Sequence, residues 1–350
     1  MITLGELAES LGLTFNGEPR RELKGLASLD IAGAGDVSFL SDRSFVASLE
    51  KTRAAAVVLH PDYASYCPVD YILSDDPYLS YAQLSKFFDT SVLPAPGVDR
   101  SANMASDVKI GEGVSIGPNV CIGSGTVLKD RVVIEAGVFL GADVEIGEST
   151  RLFPNVVIYH GVRLGSFCRI HANSTIGADG FGFARNPDGW ERIAQLGGVL
   201  IGDRVDIGAN TTVDRGALGD TVLASGVILD DQVHIGHNCE IGENTAIAGC
   251  VGIAGSTKIG ANCTLAGQVG VVGHISICDD VHITGQGRVL RSISKAGTYS
   301  SVTHLSNHRT WVRLGARFDQ LEELNRRITA LEKTFKNQMN QEVGLSLIHI

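Results

Sequence analysis

Histidine titrates closest to neutral pH, so its placement is the first guide to proton-transfer chemistry in this chain. Ten histidines occur in 350 residues, and four of them, His234, His237, His274 and His282, fall in one late stretch. His237 stands two residues after Ile235, and His274 stands three after Val271. Ile235 and Val271 belong to a single aliphatic series and lie 36 residues apart. A neutral imidazole on a rigid scaffold is a natural general base, which makes His237 the leading candidate. The competing reading of His237 is an exposed turn residue, and that of His234 is a surface hydrogen-bonding residue. No Ser-His-Asp or Cys-His arrangement is legible among the repeats, and their GxG strings read as corners rather than a phosphate-binding loop. The seven cysteines form no Cys-x-x-Cys pair, so they read as small buried hydrophobes rather than metal ligands or disulfides.

The elements that must position these histidines follow from a strict period of six. From Val98 every sixth residue through Ile176 is aliphatic or Met, for example Ile110, Ile116, Ile122, Leu128 and Ile134. Four residues after each anchor sits a second small or β-branched residue, such as Val114, Val120, Thr126 and Val132. The phase breaks after Ile176, resumes at Ile201, Ile207 and Val213, slips across 215–220, and then holds from Leu223 to Val289. A helix needs three- and four-residue steps, so this pattern predicts short strands separated by turns. One hexad buries nothing alone; a stack of them buries a continuous core.

The hexads resemble the left-handed parallel β-helix of hexapeptide-repeat acyltransferases, in which three hexads make one triangular coil. On that resemblance Ile235 and Val271 are two coils apart, and both histidines emerge near one edge, roughly 9–10 Å apart at the strand spacing. Between them in the same column runs Ile253-Ala254-Gly255-Ser256, a notch without bulk. Two imidazoles above and below it make a plausible substrate groove.

The predicted architecture is therefore mainly β, with three parts. Residues 1–97 form a small α/β domain: ITLGELAESLGL and 78–88 read as helices, 54–59 as a buried strand, and 91–99 as a linker. Residues 98–292 form the β-helix, from which 177–198 protrudes as an aromatic, Gly-rich excursion. Residues 293–340 form a helical extension in which Leu314, Phe318, Leu321, Leu324, Ile328, Leu331 and Phe335 give a coiled-coil-like stripe, pointing to an oligomer. The closing VGLSLIHI fits nothing before it and is set apart from the fold reading. A net charge of −10 without a basic block argues against nucleic-acid or anionic-membrane binding. No spanning segment and no signal or transit peptide is legible, which predicts a soluble cytoplasmic protein.

Longer motifs narrow the reading. DDQVHIGHNCEIGENTAIAGCVGIAGSTKIG resembles the active-site stretch of the UDP-3-O-acylglucosamine N-acyltransferase family of the lipid A pathway. GADGFGF (177–183) and QLGGVLIGDRVDIGANTTVDRGA (195–217) match further strings of that family, and the resemblance runs to about residue 335. It implies His237 as catalytic base, His274 as a second active-site histidine, and Asn238 in the same IGHN motif as a substrate contact. DVSFLSDRSFVASLEKTRAAAVVL resembles the family's uridine-binding region, with Phe39 and Phe45 at the positions of aromatic rings that hold the base. Asp42 stands where the family usually has Asn, and Phe45 where it often has Tyr. Core packing is the alternative reading of the two phenylalanines. GQGRVLRSI (285–293) matches a stretch that meets the acyl carrier protein and acyl chain, with Arg291 contacting the acidic carrier and Arg288 at a place where an apolar residue occurs.

The implied reaction moves a 3-hydroxyacyl group from acyl carrier protein to the 2-amine of UDP-3-O-(3-hydroxyacyl)-glucosamine, in a homotrimer, with no metal or resident cofactor. A nearby carboxylate such as Asp230 or Asp231 would orient His237, and a backbone N–H near Gly255 would stabilise the oxyanion. Three other readings stay open at this level: an O-acyl- or acetyltransferase acting on a nucleotide sugar, a zinc lyase of the γ-carbonic anhydrase type using His234, His237 and His274, and a non-catalytic scaffold.

Overall fold

The computed structural model describes residues 2–301 and 305–346. It divides after Leu93 into two compact units.

The N-terminal unit is an α/β layer. Helix α1 (Leu4–Leu11) begins where the sequence supplies a capping box: Thr3 Oγ1 accepts from the Glu6 N–H, and the Glu6 carboxylate accepts from the Thr3 N–H at 2.8 Å. It stops at Gly12, whose φ of 67° is the left-handed conformation that glycine adopts without strain. A five-stranded sheet follows in the order Thr14–Asn16, Asp70–Leu73, Ala56–Leu59, Asp36–Phe39, Gly25–Leu26. Its central strand, Ala56–Leu59, is buried throughout, as its unbroken apolar run predicts. Helix α2 (Pro77–Leu84) is capped by Asp76, whose carboxylate accepts from the N–H groups of Tyr78 and Leu79.

The second unit is a parallel β-helix. Most strands are two residues long: an inward anchor and the outward residue before it, as in Cys121–Ile122. Lys109 pairs with Val127 and Val127 with Glu145, so a coil is 18 residues and each strand meets the one a coil away. Among the described residues the strands form three parallel sheets of eleven, ten and nine members. Inside, the anchors and the β-branched residues four positions later form one continuous core, nearly all at 5% exposure or less. Truncating one such Ile or Leu to Ala costs about 2–5 kcal/mol. Where Thr replaces Val in the second slot, its hydroxyl donates to a backbone carbonyl, as Thr126 does to Gly141 (3.0 Å) and Thr245 to Gly260 (2.8 Å). The residue three after an anchor turns the corner at positive φ, which is why Asn and Gly recur there and why His274 (φ 60°) and Asn238 (φ 59°) occupy corner positions.

Both phase breaks are insertions into a coil. Ile176 pairs with Val213, 37 residues on instead of 18, and the surplus includes the antiparallel hairpin Phe183–Asn186 with Gly189–Arg192. Val213 pairs with Ile235, 22 residues on, which absorbs the slip at 215–220. The ladder also extends past both expected limits. Gly97–Val98, inside the expected linker, already pairs with Ser115–Ile116, and Gly297–Tyr299 pairs with Val281–Ile283 beyond residue 292. The C-terminal stripe forms two helices rather than one, α3 (His308–Asp319) and α4 (Leu321–Ser346), with Gln320 capping the first. The apolar stripe is exposed along both, from Leu314 at 39% to Phe335 at 68%. Of the closing octapeptide, 343–346 continue the backbone of α4 and 347–350 lie outside the described residues. No helix among the described residues is long and apolar enough to cross a membrane.

Candidate active site

The ten-stranded face supplies the site. Along one column of this face the outward residues are Thr212, His234, Gly252, Gly270 and Arg288, each one strand spacing from the next. A Cβ added at Gly252 or Gly270 would meet nothing within 4 Å, so the two glycines leave a flat trough between His234 and Arg288. A cavity of about 600 Å³ lies over it, with Asp214, His234 and His237 at one end and Val272, Leu290 and Arg288 at the other.

His237 enters this cavity from the corner after Ile235 and is half-buried. Its Nδ1 lies 3.1 Å from Asn238 Oδ1. The Asn238 amide is itself held on both sides: Oδ1 accepts from the Ala217 N–H at 2.9 Å, and Nδ2 donates to the Gly219 carbonyl at 3.0 Å. This pairing sets which end of the amide is oxygen. An oxygen facing Nδ1 requires Nδ1 to carry the proton, which leaves Nε2 as the basic nitrogen. Nε2 points at Gly255, where an added Cβ would stand 2.6 Å away, and a Cβ on Gly180 would lie 2.6 Å from His237 Cβ. Two glycines from different loops therefore make room for one imidazole. The N–H of Gly255 makes no hydrogen bond among the described residues, so it is free to meet a ligand.

Asp214 ends the strand Thr212–Asp214, beside His237's turn, and is only 6% exposed. Its Oδ2 lies 3.5 Å from His234 Nε2. Burial raises its carboxyl above the usual carboxylate range, while His234 and His237 pull it back and Asp179 pushes it up.

Several expected residues land elsewhere. Asp230 and Asp231 do not orient His237. They follow Leu229 on the eleven-stranded sheet and turn a different corner of the prism, where Asp231 accepts from the Ala209 N–H at 2.6 Å. The orienting group is Asn238, and the nearby carboxylate is Asp214. Asn238 itself spends its amide on the protein rather than facing the cavity. His274 lies on the same edge as His237, but it is exposed, at the left-handed corner, outside the cavity lining, and its N–H reaches the Gly255 carbonyl at 3.2 Å. Arg291 lines a separate cavity of about 690 Å³ at the end of the coil, with Arg288 and Lys295. Among the described residues no three His, Cys, Asp or Glu side chains gather as a metal site.

In the N-terminal unit Phe39 stacks on Tyr81 with centroids 4.0 Å apart, so one face of its ring is taken by the protein. Phe45 is 51% exposed. Asp42 caps the turn Arg43–Phe45 by accepting from the Ser44 N–H at 2.7 Å, and the Ser44 hydroxyl together with that N–H lowers its carboxyl below the ordinary value. Sequence reasoning passed over Asp214, Phe181 and Gly180, although all three lie inside the longer motifs, because nothing in the hexad pattern distinguishes them from other loop residues.

Residues 20–87 match the family described as UDP-3-O-(3-hydroxymyristoyl) glucosamine N-acyltransferase, LpxD. Residues 107–142, 143–178 and 220–255 match the bacterial transferase hexapeptide. The chain is 49% identical over 338 residues to a UDP-3-O-acylglucosamine N-acyltransferase of Dechloromonas aromatica, covering 97% of each. It is 46% identical to that of Pseudomonas syringae pv. tomato, covering 95% of each. It is 40% identical to that of Coxiella burnetii, covering 95% of this chain and 98% of the other. Among solved structures an Arabidopsis UDP-N-acetylglucosamine acyltransferase shares the fold, with a TM-score of 0.52 at 21% identity over 59% of this chain and 71% of that one.

Proposed function

This chain belongs to the UDP-3-O-acylglucosamine N-acyltransferase family, and we propose that it transfers a 3-hydroxyacyl group from acyl carrier protein to the 2-amine of UDP-3-O-(3-hydroxyacyl)-glucosamine, with His237 as general base. The observation that carries this reading is the 3.1 Å contact of His237 Nδ1 with Asn238 Oδ1: an amide oxygen there favours the proton on Nδ1 and leaves Nε2 as the base toward the cavity. The amine nitrogen attacks the thioester carbonyl carbon, and His237 takes one of its protons. The C–S bond then breaks, and the departing sulfur receives that proton, leaving the amide and the carrier thiol. The unpaired Gly255 N–H beside Nε2 is positioned to meet the developing oxyanion.

The acyl chain lies along the trough floored by Gly252 and Gly270, whose far end carries Val272, Leu290 and Arg288. Arg291, in the cationic cavity at the coil end, meets the acidic carrier. His274 assists at the same edge. In the N-terminal unit Phe39 and the exposed Phe45 hold the uracil by stacking, with Asp42 as a polar neighbour. The active assembly is a cytoplasmic homotrimer with no resident cofactor, and the exposed stripe of α3 and α4 is covered by the same stripe of other copies.

The test is His237→Ala in full-length protein of unchanged melting temperature and oligomeric state. Transfer from a 3-hydroxyacyl carrier protein falls by about 10²-fold or more. Activity near wild type removes His237 from its role, and equal turnover with acyl-coenzyme A as donor removes the carrier.

A further inference from the structure

The cavity holds a second proton acceptor that the reaction above does not use. Asp214 is 6% exposed, and its carboxylate opens on the same space as His237 Nε2. Among the described residues, its one ion-pairing neighbour within 4 Å is His234, at 3.5 Å. No protein N–H or O–H among the described residues donates a hydrogen bond to it. Buried carboxylates ordinarily collect such donors, so one left short beside a catalytic base is available to a ligand. Its position is not accidental to the strand register: Val213 pairs with Ile235, which seats Asp214 beside the Gly236–His237 turn. The other acid nearby, Asp179, is engaged by Arg192 at 3.5 Å.

Resting on the assignment of His237 as base, the geometry points to Asp214 as the residue that selects an amine over a hydroxyl acceptor. Two acceptors, Nε2 and the Asp214 carboxylate, face one reacting atom. An amine has enough N–H groups to donate to both at once, and an ammonium adds charge attraction to Asp214. A hydroxyl at the same carbon has a single hydrogen, so it satisfies His237 or Asp214 and leaves the other desolvated and unpaired. Asp214 forms no covalent bond and acts only as a hydrogen-bond acceptor. An acceptor arriving as ammonium releases its extra proton to solvent before the lone pair attacks. Burial raises the Asp214 carboxyl, and His234, 3.5 Å away and 53% exposed at its side chain, opposes that from the solvent side.

The experiment compares wild type, Asp214→Asn and Asp214→Glu with two acceptors, UDP-3-O-acylglucosamine and the UDP-3-O-acylglucose analogue that carries a 2-hydroxyl. Binding is measured by calorimetry, and kcat and KM by thioester turnover. The expected result for Asp214→Asn is a rise of tenfold or more in KM and Kd for the amine, little change for the hydroxyl analogue, and an unchanged KM for the acyl donor. Asp214→Glu recovers part of the preference. Equal weakening toward both acceptors, or an amine KM within twofold of wild type, overturns the assignment. If Asp214→Asn does not fold, the acceptor preference is read on His237→Ala, where equal affinity for amine and hydroxyl overturns it. A fully active His237→Ala would instead defeat the base assignment while leaving the Asp214 binding result standing.

Discussion

Replacing Gly255 with Ala tests the placement of the base more sharply than removing the base. The new Cβ would lie 2.6 Å from His237 Nε2, 2.8 Å from Cε1 and 2.9 Å from Cδ2. Non-bonded heavy atoms prefer about 3.5 Å or more, so the ring must withdraw by nearly 1 Å. It cannot swing freely, because Nδ1 is tied at 3.1 Å to an Asn238 amide that is itself anchored at both ends. Giving up that hydrogen bond costs about 1 kcal/mol. Displacing a catalytic group by about 1 Å costs on the order of 10²-fold in rate, about 2.7 kcal/mol in the barrier. Gly255 does not have a left-handed φ, so Ala fits its backbone and the fold is kept. The assay is single-turnover N-acyl transfer at saturating acceptor, alongside a thermal melt. The expected result is a rate lower by roughly 10²-fold with a melting temperature within about 2 °C of wild type. In the His237→Ala background the same change has no further effect, because both act through one imidazole. A Gly255→Ala enzyme within threefold of wild type refutes the idea that Nε2 faces this notch.

Asn238→Ala lowers kcat by about 10- to 10²-fold and leaves the KM of the acyl donor unchanged, because it frees the His237 tautomer; Asn238→Asp, which keeps an acceptor, retains more activity. Gly270→Val adds a side chain into open space, so thermal stability holds while transfer from long-chain donors falls more than from short-chain ones. Burial raises the folded carboxyl of Asp214 above its unfolded value, so between the two the folded chain binds more protons, and stability falls as pH rises through that window. Asp214→Asn therefore melts at or above wild type at pH 7, and the advantage shrinks as pH falls toward about 4, in melts run across that range.

Much of the scaffold was legible because its signal is local and repeated. Each Ile, Leu or Val anchor is needed by its own coil, and a stack of similar coils repeats the requirement until the period is unmistakable. The N-terminal helix was legible in ITLGELAESLGL, and the structure starts it with a capping box of Thr3 and Glu6. The C-terminal helices were legible from the spacing of their apolar residues, although the break at Gln320 was not, because the stripe runs through it unchanged.

The site was legible only in part. The six-residue count, with three hexads to a coil as in the β-helices it resembles, places His237, Gly255 and His274 on one edge, and the 18-residue coil of the structure keeps them there. Sequence proximity misled for Asp230. Seven residues before His237 is more than one hexad, and each hexad turns a corner, so Asp230 leaves on another edge. Asp214 is 23 residues before His237, yet the four-residue slip in its coil brings it alongside. The orientation of His237 depends on the carbonyl of Gly219 and the N–H of Ala217, two groups inside that slip. By itself, the sequence determined the short strands and which residue of each faces inward, because these follow from a period, and its resemblance to three-hexad coils set the edge that carries the histidines. Only the tertiary structure decided which nitrogen of His237 is basic and which carboxylate faces it, because both depend on where irregular loops fold back across the coils.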